Sequence, residues 1–242
     1  MKNYLTLVAF AMVMLLLGVI ENTTAQVKLE LNSTITTRHY WRGLMISNSS
    51  NYEGDLVLRT SNLQLGAWGG YAFNGEYSEF DFHVGYDLSD KFTISVWDLY
   101  ASRDRSSIDD YDYFDLNRKT TNHLIDISAK YKISNDFPLS VYWSTLVWGR
   151  DLNEKNEQRY SSYVELDYPV NIGHSIVDFY AGFNLVEESM YGKDINAVDV
   201  GVTATKYFRI NDNLTFPLWA KVAINPEAGT SNLILGLQFN LN

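Results

Sequence analysis

The groups of this 242-residue chain that could do chemistry are its carboxylates, its Lys and Arg side chains and four histidines; it has no cysteine. Thiol nucleophiles, thiolate metal sites, disulfides and a lipoprotein anchor are therefore excluded. A lipase or deacylase needs a Ser, a His base and an orienting acid or Asn gathered at one rim. His174-Ser175 falls beside a short turn, the wrong side for surface lipids. His39 and His123 fall near the outer side without a nucleophile motif. His83 stands two residues from Asp81, a spacing that could hold a metal, but no second cluster accompanies it. A hydrogen bond inside the fold is the expected role. The run Asp109-Asp110-Tyr111-Asp112-Tyr113-Phe114-Asp115 is rich in oxygen but lacks the spacing and glycine of an EF-hand loop. It is expected to be a solvated loop whose rings can fold over a mouth. No covalent chemistry, cofactor or metal is expected.

The elements that must position these groups have a period of two. In Tyr77–Tyr86, Glu79, Asp81 and His83 alternate with Phe80, Phe82, Val84 and Tyr86. A strand with this pattern has one polar and one apolar side. The pattern recurs in about twelve segments, roughly 27–43, 53–61, 62–74, 76–87, 91–103, 122–133, 138–150, 159–169, 174–187, 195–208, 213–224 and 230–241. Short turns at Thr60–Asn62, Leu88–Lys91, Ser134–Phe137, Val170–His174 and Ile210–Asn213 alternate with longer loops, notably 45–52, 104–121, 151–158 and 188–194. Tyr86, Phe92, Tyr131, Phe137, Tyr168, Phe208 and Phe216 recur beside the short turns, as in an interfacial aromatic girdle.

Upstream, Lys2, an apolar run over Tyr4–Ile20 and the small residues Thr23-Thr24-Ala25 form an expected signal peptide over 1–25, leaving 26–242 as the folded domain. No later run is long enough to cross a bilayer as a helix, so a membrane-embedded form must be a closed barrel. The expected fold is an all-β, transmembrane, up-and-down antiparallel barrel of about twelve strands in a Gram-negative outer membrane, with both termini periplasmic. A soluble sandwich or lipocalin-like barrel also alternates, but with its apolar face inside. Export, turn and loop asymmetry and the girdle favour the membrane form. A net charge of -10 offers no basic stripe for nucleic acid. The expected partners are outer-membrane lipids, the barrel-assembly machinery during insertion, and small solutes.

An apolar face turned to lipid assigns the charged face to the lumen. The expected lumen-lining residues are Arg38, Arg42, Arg59, Glu79, Asp81, His83, Arg103, Asp126, Arg150, Glu165, Asp167 and Asp178, with Tyr40 in strand one and Trp97 and Trp148 further on. Acids and bases are close to balanced in this list, without the Arg and Lys ladders expected of a pore for anionic sugars. Asp98 conflicts with the pattern, since alternation from Phe92, Ile94 and Val96 turns it to lipid. A bulge near Trp97 or a headgroup-level position would relieve it.

Three segments, in order, carry a family resemblance. Thr37-Arg38-His39-Tyr40-Trp41-Arg42-Gly43 is similar to a Tyr-x-x-Arg-Gly pattern with one residue fewer. Gly66-Ala67-Trp68-Gly69 matches a Gly-x-Trp-x segment, and Glu79–Tyr86 is similar to Glu-x-Asp-x-x-x-Gly-Tyr. On these the chain resembles the TorF family of porin-like outer-membrane proteins, which implies a porin-like role and identifies no solute. The expected function is a passive channel for small hydrophilic solutes. The alternative is a non-conducting barrel with a salt-bridged lumen, serving as anchor, adhesin or assembly partner.

Overall fold

The computed structural model describes residues 27–101, 112–211 and 214–241. The expected signal peptide, Arg103 and the first part of the acidic loop lie outside the described residues. The elements are β1 (Lys28–Thr36), β2 (His39–Trp41), β3 (Leu44–Ser47), β4 (Asn51–Arg59), β5 (Leu63–Ala72), β6 (Ser78–Ser89), β7 (Phe92–Tyr100), β8 (His123–Lys132), β9 (Ser140–Gly149), β10 (Ser162–Ile172), β11 (Ser175–Asn184), β12 (Ala197–Asn211), β13 (Leu214–Asn225) and β14 (Thr230–Leu241). All but β2 and β3 pair antiparallel with their chain neighbours, and β1 closes the ring on β14. The closing register runs from Leu31 opposite Leu241 to Thr36 opposite Gly236. Closure leaves no free edge, which a bilayer requires because lipid offers no hydrogen bonds.

The alternating sequence decides which way each side chain points. On β6, Phe80, Phe82, Val84, Tyr86 and Leu88 are exposed on the outer wall, while Asp81 and His83 are buried. Leu56, Ile94, Val96, Phe179, Leu218, Val222 and Leu235 continue the outer apolar surface on other strands. The barrel is transmembrane, with its apolar belt outward and its charges inward. Rings mark the turn end of the wall: Phe92 meets Tyr131 at 6.2 Å, Phe137 meets Tyr168 at 5.5 Å, and Phe216 meets Phe239 at 4.9 Å. Tyr52, Tyr71, Phe73 and Phe80 are exposed towards the loop end. Both described chain ends lie at the end with the short turns.

The first expected strand is shortened. β1 ends at Thr36, and β2 and β3 form a separate two-stranded sheet. Trp41 pairs with Leu44, so the connecting turn is Arg42-Gly43, with φ of 48° and 84°. Two successive positive φ values define the tight hairpin turn that suits strand twist, and glycine is favoured there. Gly43 is also fixed by space: a Cβ would lie 2.3 Å from the Val198 carbonyl oxygen.

Candidate functional site: a lumen crossed by a hairpin

The β2–β3 hairpin folds into the bore and is fastened to it on several sides. His39 Nδ1 lies 2.9 Å from Glu53 Oε1 on β4, and its ring stacks on Tyr77 at 5.1 Å. Tyr40 donates its hydroxyl to Asp199 on β12 at 3.2 Å. The Asn225 side-chain amide on β13 donates to the Gly43 carbonyl at 3.1 Å. Arg42, at the tip, donates to Asp126 Oδ2 on β8 at 2.5 Å, to Tyr142 Oη on β9 at 2.5 Å and to Tyr191 Oη at 2.7 Å. Its guanidinium also lies 4.5 Å from the Trp41 ring centroid. A planar cation with five donors suits this ring of acceptors and aromatic faces better than a lysine would. Asp126 is 2 % exposed, so the pair is one that needs its geometry kept intact. Arg42 therefore faces the lumen from an inserted turn and not from strand one, where alternation had put it together with Tyr40.

Around and beyond the hairpin is a cavity of about 1130 Å³. Its lining reaches from Gln64 and Thr93, near the turn end, to Glu76 and Ala101, near the loop end, and includes the hairpin itself. Glu79, Asp81, Asp126, Arg150, Glu165 and Asp167 line it. His83 points inward but bonds Asp55 at 2.9 Å and stacks on Trp97 at 4.0 Å. It sits directly over Gly66, where any Cβ would lie 2.0 Å from its Nε2. Arg59 joins Glu30 at 3.5 Å and Asp87 at 3.8 Å, while Lys28 meets Glu30 at 3.2 Å. These four form a balanced charge cluster at the turn end. Arg38 donates to Asn232 at 3.1 Å. Asp178 is cross-strand from Thr203 and Pro169, outside the cavity lining.

Two inward segments share one pattern, Tyr77-x-Glu79-x-Asp81 on β6 and Tyr163-x-Glu165-x-Asp167 on β10. In each the tyrosine hydroxyl donates to the glutamate, at 2.5 Å in the Tyr163–Glu165 pair. Asp81 additionally accepts the Tyr100 backbone N–H at 2.9 Å. This repeat was legible as sequence, because each tyrosine precedes two carboxylates at strand spacing. The hairpin also left a signal, Arg42-Gly43 between two short apolar or aromatic runs, which is a two-residue turn pattern.

Two expectations about orientation change. Trp148 pairs with Ile125 on the outer wall. A register shift between Ile125 and Asp126 inserts an extra residue in β9 and reverses the side on which Trp148 emerges. Asp98 stays on the outer wall, in unbroken register between Phe82 and Ile125. It is relieved by partners, not by a bulge. His123, 2 % exposed, holds Asp98 Oδ1 at 2.7 Å through Nδ1 and the Tyr113 carbonyl at 2.7 Å through Nε2. The ring bridges a carboxylate of β7 and a carbonyl of the loop. The loop segment from residue 112 onward thus folds back on the outside of the rim, with the Tyr113 ring 4.9 Å from the Tyr100 ring. Among the described residues no group of three or more His, Asp or Glu side chains is arranged to hold a metal ion.

No protein-family model and no curated protein matches this chain. Among solved structures, the chain is similar to the KdgM porin in complex with disordered oligogalacturonate, at 9 % identity over 87 % of this chain and 97 % of that one, with a TM-score of 0.46. It is similar to an outer membrane channel from Pseudomonas putida F1, at 12 % identity over 91 % and 97 % of the two chains, with a TM-score of 0.46. A porin of Rhodopseudomonas blastica aligns at 13 % identity over 79 % of this chain and 55 % of its own, with a TM-score of 0.38. The likeness is one of barrel architecture, and the reading of the lumen rests on this chain's own residues.

Proposed function

We propose that the protein is a porin-like outer-membrane channel that passes small hydrophilic solutes around an inserted hairpin, without covalent chemistry. The observation that carries this reading is the cavity lined from Gln64 and Thr93 to Glu76 and Ala101, past the hairpin. Its walls set charged and polar side chains among aromatic and aliphatic ones, and lumen side chains tune selectivity in such barrels. The TorF resemblance points to the same porin-like role. The test is single-channel recording with the purified, folded protein in planar bilayers. Discrete steps of small conductance are expected, and a folded barrel that never conducts would reject the channel.

A second reading is favoured by a specific observation, the fastening of the hairpin to β4, β8, β12 and β13. A bore held shut at these points is a non-conducting barrel that acts through its loops as an anchor, adhesin or assembly partner. The same recording separates the two.

A further inference from the structure

The charge along the cavity is not balanced. Among the described residues that line it, eight are Asp or Glu and four are Lys or Arg. Arg42 and Lys221 each face an aspartate. Arg42 is enclosed by Asp126, Tyr142 and Tyr191. Lys221 lies 3.8 Å from Asp199 and 4.2 Å from the Tyr180 ring centroid. Lys130 and Arg150 supply the remaining positive charge.

The acids are held differently. Glu79 and Glu165 take their hydrogen bonds from tyrosine hydroxyls, and Asp81 takes one from a backbone N–H. Neutral donors fix a carboxylate in place without cancelling its charge. The Tyr-x-Glu-x-Asp pattern does this on β6 and again on β10, so each segment sets a hydrogen-bonded Glu–Asp pair on the wall that can share one proton and still presents one fixed negative charge. A separate observation points the same way. Asp126, 2 % exposed, has one oxygen on Arg42 while its Oδ1 has no hydrogen-bond partner. Buried carboxylate oxygens of this kind call for a donor or a cation. A narrow polar passage with low-dielectric walls concentrates the field of such charges and raises the local concentration of counter-ions.

We propose that the lumen selects cations over anions, and that the two Tyr-x-Glu-x-Asp segments are its main selectivity elements. This rests on the channel reading above. Its solutes would then be small cations and neutral hydrophilic molecules, with anionic solutes excluded.

The test is the reversal potential of the purified protein in a planar bilayer under a KCl gradient. The expected sign is that of potassium preference, with a permeability ratio above one that collapses towards one as salt rises and screens the walls. Glu79→Gln/Asp81→Asn and Glu165→Gln/Asp167→Asn should each shift the potential towards zero, and the combined variant should shift it further. Each keeps side-chain size, and heat-modifiable migration on gels reports whether each has folded. If one variant does not fold, the wild-type potential and the other variant still decide. A chloride-selective or unselective wild type overturns cation selection while leaving the channel standing. Unchanged selectivity in folded variants overturns the role of the two segments. A folded wild type with no conductance overturns the channel reading and this inference with it.

Discussion

Arg42 shows how one side chain carries the lumen's arrangement. It occupies a positive-φ position that disfavours any residue but glycine, asparagine or aspartate, and it is held there by three hydrogen bonds and the surrounding rings. Arg42→Ala leaves Asp126 buried without its cation, which costs about 3–5 kcal/mol in stability. The double variant Arg42→Ala/Asp126→Asn should recover much of that loss. Denaturant-induced unfolding in detergent micelles measures both, and equal stability of the two variants would contradict the pairing. At the outer rim, His123 bridges the Asp98 carboxylate and the Tyr113 carbonyl. His123→Ala should expose the backbone around Tyr113 and Phe114 to faster hydrogen exchange or proteolysis than in the native protein. Equal exposure in the variant and the native protein would contradict the clasp.

At the scale of elements, the β2–β3 hairpin is the feature that alternation did not reveal. A strand of continuous polar and aromatic alternation through residue 43 was a fair reading of Arg38, Tyr40 and Arg42. The turn at Arg42-Gly43 instead ends it, and β1 stops at Thr36. Replacing residues 37–50 by a short turn joining β1 to β4 should leave the barrel closed, because β1 and β4 pair directly from Lys28–Arg59 to Thr36–Asn51. The expected result is a larger single-channel conductance with heat-modifiability retained. An unchanged conductance would show that the hairpin does not limit passage.

Over the whole molecule, the apolar belt and the polar bore set opposite rules for substitution. Val84 lies on the outer wall at mid-strand, between Leu65 and Val96. Val84→Arg should cost about 2–4 kcal/mol of folding free energy in lipid vesicles, whereas Leu88→Arg near the turn end should cost about 0–1 kcal/mol. Equal costs would mean that this wall does not face hydrocarbon. The charge balance is likewise a property of the whole. Lys28, Glu30, Arg59 and Asp87 cancel at the turn end, and the acidic excess lies along the cavity.

The sequence alone determined the number of barrel strands, the closed antiparallel class and the alternation that sets Glu79, Asp81 and His83 on one face. These follow from a period of two, which is local and survives any register that buries the right face. It also carried the Tyr-x-Glu-x-Asp repeat and the Arg42-Gly43 turn, whose meaning waited on their neighbours. Only the tertiary structure decided which charges are cancelled. Arg42 and Asp126 are 84 residues apart, and Asp98 and His123 are 25 apart. Their meeting depends on register, on one bulge in β9 and on a hairpin entering the bore. A carboxylate beside a guanidinium and one beside a tyrosine hydroxyl look alike in sequence, and they differ in the charge they leave facing the lumen.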